Sequence, residues 1–213
     1  MLARPQFRPL PRSFFDRDPR RVARDLLGTI LVGRDARSLL AGRIVETEAY
    51  LGLNDPAAHA AAGRTARNLV LWGPPGRAYV YFIYGNHYCL NVSCLPEGKA
   101  GCVLIRALEP VAGLERMARN RGLDLSALRS PAQLRLLTSG PGRLCEAFAI
   151  TRPRDNDTDV TDRDSHLLVA PNVSDDLPRP RILATPRIGI TKAAAEKLRY
   201  IIKDNPFVSG PRS

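Results

Sequence analysis

The sequence predicts a single domain of the mixed α/β class, close to the α+β type, and three observations support this. Helix-like and strand-like patterns are interleaved along the 213 residues, and no linker is long enough to separate two domains. A chain of this length can bury about 70% of its unfolded surface in one core. Two short apolar runs on either side of Gly85-Asn86 predict an antiparallel hairpin, which is the most distinctive element.

The N-terminal half is predicted to contain an arm, one helix and four strands. Residues 1–17 are rich in Pro and Arg and predict an extended arm within the single domain 1–213. Asp18-Pro19 is typical of an N-cap followed by proline in the first turn, and Gly28 ends this helix. The remaining segments are strands at 29–33 and 41–51, irregular chain at 52–77 with a helical turn at 57–62, and hairpin strands at 78–84 and 87–94.

The C-terminal half has weaker patterns. A strand is expected at 101–108, followed by a basic helix at 111–121, whereas residues 120–135 give no assignment. Ser139-Gly140-Pro141 precedes another helix. The remaining predictions are an exposed polar loop at 152–164, strands at 166–170 and 181–190, and a tail at 192–213 with a short helix and a last strand.

Composition favours a polyanionic partner. The formal net charge is +11, and of the 32 basic residues 28 are arginine. Arginine suits bidentate phosphate contacts, although GC-rich coding also raises its frequency. The four cysteines have no metal-ligand spacing, and the aspartates of 155–164 lack the glycine and glutamate of a calcium loop. We therefore expect no metal or cofactor and, without an apolar span, a cytoplasmic protein that does not bind membranes.

A carboxylate in the apolar strand 41–51 is a candidate for chemistry. Period-two alternation puts Glu46, Glu48 and Tyr50 on one face of this strand. Burying an unpaired charge is costly, so these acids require a partner or a reaction. Two interpretations remain open: a catalytic acid, or an ion pair with an arginine such as Arg43 or Arg106.

The predicted hairpin concentrates aromatic side chains. Four of the six tyrosines lie in it, at positions 79, 81, 84 and 88. Each buried hydroxyl requires water or a partner, and Tyr84 at the tip is placed to wedge into stacked bases. Ordinary sheet packing or a dimer interface are the alternatives. Together with the charge and the acid, the hairpin favours a protein that handles a nucleic-acid base.

Several motifs extend this interpretation. The runs are Arg-Ile-Val-Glu-Thr-Glu-Ala-Tyr-Leu-Gly (43–52), Ala-Ala-His (57–59), Arg-Asn (67–68), Tyr-Val-Tyr-Phe-Ile-Tyr-Gly (79–85), Cys-Leu-Asn-Val (89–92), Val-Leu-Ile-Arg-Ala-Leu-Glu-Pro (103–110), Ser-Gly-Pro (139–141) and Pro-Arg-Ile-Gly-Ile (186–190). Their order resembles the alkyladenine (3-methyladenine) DNA glycosylase family over nearly the whole chain. Leu71-Trp72 and Asn86 depart from that family's usual residues.

The resemblance implies a fold and a set of roles. The fold would be a curved, mainly antiparallel sheet flanked by helices, with a hairpin that protrudes into the DNA minor groove. Glu48 would be the general base that activates a water, with Arg106 and the backbone carbonyl of Ile188 beside that water. The implied base pocket is Tyr50 on one side, His59 and Tyr81 on the other, and Asn91 at its floor. Tyr84 and Asn86 would enter the duplex, and Arg67 would contact the DNA backbone. For Ser139 and Gly140 two interpretations remain open from the residues themselves: they cap the following helix, or they present backbone N–H groups to a DNA phosphate.

The implied activity is that of a monofunctional glycosylase of base excision repair. It would flip alkylated or deaminated purines out of double-stranded DNA and hydrolyse the N-glycosidic bond, without a cofactor and as a monomer. The motif segments offer no lysine nucleophile except Lys99 in a turn, which argues against lyase activity. The alternative is a non-catalytic lesion or nucleic-acid binder, for which Glu48 would have no purpose. Small-nucleoside hydrolysis fits the charge and hairpin less well, and the preferred lesion stays open.

Overall fold

The chain folds around one antiparallel sheet of eight strands. The computed structural model describes residues 7–35, 38–83, 85, 87–172 and 180–211. The strands are β1 (Ile30–Arg34), β2 (Leu39–Tyr50), β3 (Ala78–Ile83), β4 (His87–Cys94), β5 (Gly101–Ala112), β6 (Leu167–Ala170), β7 (Ile182–Thr185) and β8 (Arg199–Ile202). The main order is β3-β4-β5-β2-β1-β6, and β8 joins β2 to β7. A mixed, mainly antiparallel single domain is therefore confirmed.

β2 is the strand on which the sheet is organised. Along one edge it pairs with β5, while the other edge pairs first with β1, at 39–43, and then with β8, at 46–48. The β2–β5 register shifts on both sides of Glu46. Such bulges bend a strand and increase its twist, so β2 can serve two partners in succession on the same edge.

Six helices flank the sheet in the described part of the chain. They are α1 (Arg12–Phe15), α2 (Pro19–Asp25), α3 (Leu114–Asn120), α4 (Pro131–Thr138), α5 (Pro141–Ala147) and α6 (Arg152–Asp155), with 3₁₀ turns at His59–Ala62, Leu69–Trp72 and Leu125–Ala127. The predicted cap of α2 is present, because the Asp18 side chain accepts the Arg20 N–H at 2.8 Å. Residues from α2, α5 and the central strands share one core with Phe15 and Val208.

Near the N-terminus and after β5, the observed helices differ from the predicted ones. Residues 12–15 of the predicted extended arm form α1, and Phe15 is completely buried. The basic helix expected at 111–121 begins only at Leu114, since β5 continues to Ala112 and Gly113 turns the chain at φ +80°. Helix α4 was not predicted; it begins with Ser130 and Gln133 in a capping box.

Residues 152–164 are largely exposed or half-buried, as their polarity predicts, but they are not a loop throughout. Arg152–Asp155 is helical, and Asp155 and Val160 are completely buried. Asp155 accepts hydrogen bonds from the Thr151 N–H at 2.7 Å and from His166 at 2.8 Å. Buried polar groups are tolerated when they have such partners, so the polarity of the segment concealed the burial of Asp155.

The C-terminal region contains less helix and strand than predicted. The strand expected at 181–190 ends at Thr185, because Pro186 cannot donate to a ladder. The short helix expected after Lys192 is only a series of turns. Segment 186–190, which is not part of a strand, instead crosses the end of β2, where Arg187 and Ile188 donate to Ala49 and Glu48.

Candidate active site

Alternation along four neighbouring strands separates the core face of the sheet from a second, chemically different face. Val80, Leu90 and Ile105 belong to the helix-covered core. Their neighbours on the opposite face form a row across the sheet, in which Tyr79 pairs with Asn91, Asn91 with Leu104 and Leu104 with Glu48. Because strand side chains alternate between faces, this register collects aromatic and polar groups on one surface.

A cavity of about 340 Å³ lies on this second face. Segment 186–190 and the start of α5 close two of its sides. The lining residues are Tyr50, Ala57, His59, Tyr79, Tyr81, Ile83, Cys89, Asn91, Cys102, Leu104, Arg106, Pro141, Ile188, Gly189 and Ile190. Apolar walls with a few converging polar groups are typical of a small-molecule or base-binding site.

Glu48 lies directly behind the cavity wall and is completely buried. Its carboxylate accepts the Tyr50 hydroxyl at 2.9 Å and the Ile188 backbone N–H at 2.8 Å, and Arg106 Nη1 lies 3.3 Å from it. Burial raises the pKa of Glu48 above its usual value, although Arg106 and the two hydrogen bonds oppose the rise. A carboxylate held this way binds a proton more readily than an exposed one.

Glu46 has a different environment from Glu48. Its carboxylate accepts Arg106 Nε at 2.9 Å, Arg199 Nε at 2.7 Å and the Ser209 N–H at 2.6 Å. The ion-pair interpretation therefore holds for Glu46, which ties β2 to β5, β8 and the C-terminal segment. Arg43 pairs instead with Glu109. Arg106 contacts both acids, so it connects the structural carboxylate to the one at the cavity.

One wall of the cavity is built by His59, Tyr79 and Tyr81. The His59 and Tyr81 rings meet edge to face with centroids 4.4 Å apart, and His59 Nδ1 lies 2.9 Å from the Tyr79 hydroxyl. Burial, and then the charge of Arg67, lower the pKa of His59, so its ring is neutral at neutral pH. Burial raises the pKa of Tyr79 to about 12. This wall is therefore aromatic and uncharged.

Tyr50 faces the same cavity from the end of β2. Burial and then the charge of Glu48 raise the pKa of Tyr50, so its hydroxyl keeps its proton and donates to Glu48. The predicted placement of Tyr50 opposite His59 and Tyr81 is consistent with all three lining one cavity. The structure thus brings together the residues predicted for the base pocket.

Asn91 occupies the sheet surface of the cavity with two cysteines beside it. Its Nδ2 donates to the Tyr79 carbonyl at 3.2 Å, and its Oδ1 lies 3.8 Å from Cys102 Sγ. Burial raises the pKa of Cys89 to about 11 and that of Cys102 to about 12. Because the thiolate is the reactive form, these thiols act as packing and weak hydrogen-bonding groups. All four cysteines are free and buried.

Ile188 makes a contact with Glu48 that was not predicted. Its backbone N–H donates to the carboxylate, while the prediction that its carbonyl lies beside the attacking water is a separate contact and stays a prediction. Segment 186–190 could be placed near the acid from the resemblance only. Its backbone donor restricts the carboxylate to one orientation beside the cavity.

The hairpin formed by β3 and β4 ends in an exposed tip. Tyr84 and Asn86, the predicted intercalating residues, lie outside the described residues. Gly85 between them has φ +74°, and no atom lies within 4 Å of where its side chain would start. Next to the tip, at the start of β4, His87 packs on Gly142 of α5, where a Cβ would come within 2.9 Å of the ring. α5 therefore supports the hairpin.

The three residues predicted to contact the DNA backbone differ in exposure and in their hydrogen bonds. Arg67 is exposed and close enough to affect the pKa of both His59 and Tyr79. Ser139 and Gly140 use their backbone N–H groups inside the protein, on the carbonyls of Arg135 and Arg106 at 2.9 and 3.1 Å. The Ser139 amide thus caps the end of α4, and the Gly140 amide ties the start of α5 to β5, so both N–H groups already donate inside the protein.

Two further residues at the site were not predicted. Arg187 and Asp55 have completely buried side chains and form a bidentate pair, with Nη1 and Nη2 at 2.6 and 2.9 Å from the carboxylate oxygens. The Arg187 guanidinium lies over the Tyr50 ring, 4.7 Å from its centroid. In the sequence, Asp55 lies in the irregular chain 52–77 directly before Pro56, and nothing local identifies it as the partner of Arg187.

Within the described ranges, no group of three or more His, Cys, Asp or Glu could hold a metal ion. Among the same residues, no helix is long and apolar enough to cross a membrane.

A buried acid behind an aromatic cavity, on a strongly basic chain, is typical of an enzyme that acts on a nucleic-acid base. The particular family is identified by similarity: the chain belongs to the methylpurine-DNA glycosylase (MPG) family, whose signature matches residues 13–206. The resemblance found in the motifs is thereby confirmed. The protein is a DNA glycosylase, a hydrolase that acts in the repair of DNA containing alkylated purines.

The chain is similar to proteins with the name "Putative 3-methyladenine DNA glycosylase", and the similarity covers most of the length of each. One from Koribacter versatilis (strain Ellin345) is 61% identical over 207 residues, which cover 97% of this chain and 96% of the relative. One from Methanoculleus marisnigri is 48% identical, covering 94% and 98%, and one from Rhodopseudomonas palustris is 46% identical, covering 95% and 88%.

Proposed function

We propose that the protein is a monofunctional glycosylase of base excision repair. It flips alkylated or deaminated purines out of duplex DNA and leaves an abasic site, with 3-methyladenine, 7-methylguanine, hypoxanthine and ethenoadenine as its substrate class. The observation that carries this proposal is Glu48, a buried carboxylate directly behind the aromatic cavity and in contact with Tyr50, Arg106 and Ile188.

Glu48 is suited to activate a water. Two carboxylate oxygens offer about four acceptor sites, and the three donors around Glu48 leave capacity for one more. A water between Glu48 and a flipped nucleotide would lose its proton to the carboxylate as it attacks C1′. The same negative charge stabilises the positive charge that develops on the sugar. Arg106, which lines the cavity, would hold the water and keep Glu48 ionised.

The aromatic walls are suited to hold the flipped base. Tyr50 would stack on one face of the base, and His59 with Tyr81 on the other. Because His59 is neutral at neutral pH, it does not repel a base that carries positive charge after alkylation. Electron-rich rings attract cations over their faces. Asn91 at the cavity floor would disfavour the exocyclic 2-amino group of normal guanine.

DNA would bind across the cavity opening and the hairpin tip. The net charge of +11 supplies the phosphate attraction, and exposed Arg67 lies at the rim. Tyr84, with Asn86, would fill the gap that the flipped nucleotide leaves in the duplex. No lysine lines the cavity among the described residues, which supports hydrolysis by water without a Schiff base. We expect a monomer to suffice, because one chain supplies all these groups.

Single-turnover base release from duplex oligonucleotides tests the proposal. Wild-type protein should release hypoxanthine, ethenoadenine or methylated purines, with strand breaks appearing only after alkali. Glu48→Gln should still bind the lesion but lose at least about 10²-fold in rate. Glu109→Gln is the matched control, because that carboxylate pairs with Arg43 and Asn205 away from the cavity. Tight lesion binding without any release would instead favour the non-catalytic binder.

A further inference from the structure

The Arg187–Asp55 pair lies behind the proposed base-stacking ring and not in the cavity itself. Arg187 is buried and absent from the cavity lining, while Tyr50 forms part of it. Since the guanidinium covers the Tyr50 ring at 4.7 Å from the centroid, it occupies the ring face turned away from the cavity. The opposite face is the one available to a base.

The pair is rigidly held. Arg187 donates to both Asp55 oxygens and, from Nη1, to the Ala49 carbonyl at 3.0 Å. Asp55 also accepts the N–H groups of Leu51 and Ala57, both at 3.1 Å. Burial raises the pKa of Asp55, but the hydrogen bonds from Arg187 and these amides outweigh it and lower the pKa below its usual value. Asp55 is therefore ionised at neutral pH and offsets the arginine charge.

We propose that the Arg187–Asp55 pair sets the charge preference of the base pocket. This inference rests on the proposed function, in which Tyr50 stacks on the flipped base. The guanidinium is the partner that lies over the Tyr50 ring. It draws π-electron density away from the face that meets the base, so the ring attracts a cationic base less strongly. Neutral lesions such as hypoxanthine thereby remain competitive with cationic ones such as 7-methylguanine.

Two variants should move the preference in opposite directions. Asp55→Asn leaves the guanidinium charge uncompensated behind Tyr50. The ratio of 7-methylguanine to hypoxanthine excision rates should then fall, on the order of tenfold for one unit charge within about 10 Å of the base. Replacing both residues, by Arg187→Met with Asp55→Asn, removes the positive charge from behind the ring. The same ratio should then rise, by roughly threefold by the same Coulomb argument.

Single-turnover rates on both lesions, for these variants and wild type, test the proposal. Asp25→Asn is the matched control, because it changes total charge equally at the exposed Arg17 pair and should leave the ratio unchanged. If each variant slows both lesions by one common factor, the pair only holds Tyr50 in place and the proposal is overturned. If Asp55→Asn does not fold by circular dichroism, the double variant decides: a raised ratio supports the proposal and an unchanged one refutes it. Wild-type protein that released neither lesion would refute the proposed function itself.

Discussion

Replacement of Tyr50 by phenylalanine isolates one hydrogen bond to the proposed general base. The ring that would stack on the base is retained, and only the hydroxyl that donates to Glu48 at 2.9 Å is lost. A hydrogen bond to a charged group is worth about 1.5–3 kcal/mol. Because this bond favours ionised Glu48, losing it should raise the pKa of Glu48 further, by about one to two units at about 1.4 kcal/mol per unit.

The sign of the effect on excision follows from the role of a base. Glu48 must be deprotonated to accept a proton from water, so the rate falls as the pH drops through its pKa. In wild-type protein this acid limb should lie above the ordinary glutamate pKa of 4.5, since burial raises the pKa of Glu48. In Tyr50→Phe the limb should move to still higher pH, while the rate on the alkaline plateau changes little.

A pH–rate profile of single-turnover hypoxanthine release from pH 4 to 9 measures this shift. One pH unit below the wild-type midpoint, Tyr50→Phe should be roughly 10- to 100-fold slower than wild type, for a rise of one to two units. Tyr79→Phe is the matched control, because its hydroxyl contacts His59 in the same cavity. Coincident acid limbs for Tyr50→Phe and wild type would refute the assignment of the limb to Glu48. Equal shifts in both variants would show that the effect is not specific to this bond.

Three other perturbations test separate parts of the molecule. Tyr84→Ala should weaken base flipping, and an unchanged fluorescence signal from an unstacked base analogue opposes that role. Affinity for undamaged duplex should fall linearly on a log–log plot against salt, and a flat titration contradicts phosphate-driven docking. Glu46→Ala should destabilise the fold by about 3–5 kcal/mol in urea unfolding, because it leaves the buried Arg199 without its carboxylate partner and Arg106 with Glu48 alone. Glu109→Ala, at a partly exposed pair, should cost under about 1 kcal/mol; similar losses would contradict the structural role of Glu46.

Much of the fold was predictable where local signals were strong. The Asp18 cap, the two strands of the hairpin and the alternation in 41–51 correspond to α2, β3–β4 and β2. The failures came where tertiary contacts decided the outcome. Asp155 is the buried residue of a polar segment, and its burial depends on hydrogen bonds from Thr151 and His166. No local sequence pattern indicates such partners.

In the candidate site, too, the residues with a local or motif signal were predicted, and those brought together by tertiary contacts were not. Period-two alternation placed Glu48 and Tyr50 on one face correctly, and the resemblance brought His59, Tyr81 and Asn91 to the same cavity. Arg187 and Asp55 are 132 positions apart in sequence, so their pairing depends on how segment 186–190 crosses β2. Neither residue carries an independent signal, because an arginine among 28 and an aspartate before proline have many ordinary explanations.

The two glutamates of β2 show why a strand pattern can locate chemistry but cannot assign it. Glu46 and Glu48 have the same residue type, face and degree of burial. Glu46 accepts four hydrogen bonds from the protein, from two arginines and from both the N–H and the hydroxyl of Ser209, which fix it as a structural acid. Glu48 is two residues closer to the end of the strand, where Tyr50 and a backbone amide replace Arg199 and Ser209 and the cavity begins. The proposed role of Glu48 as the general base therefore rests on its position beside the cavity and on its three donors, which leave an acceptor site there.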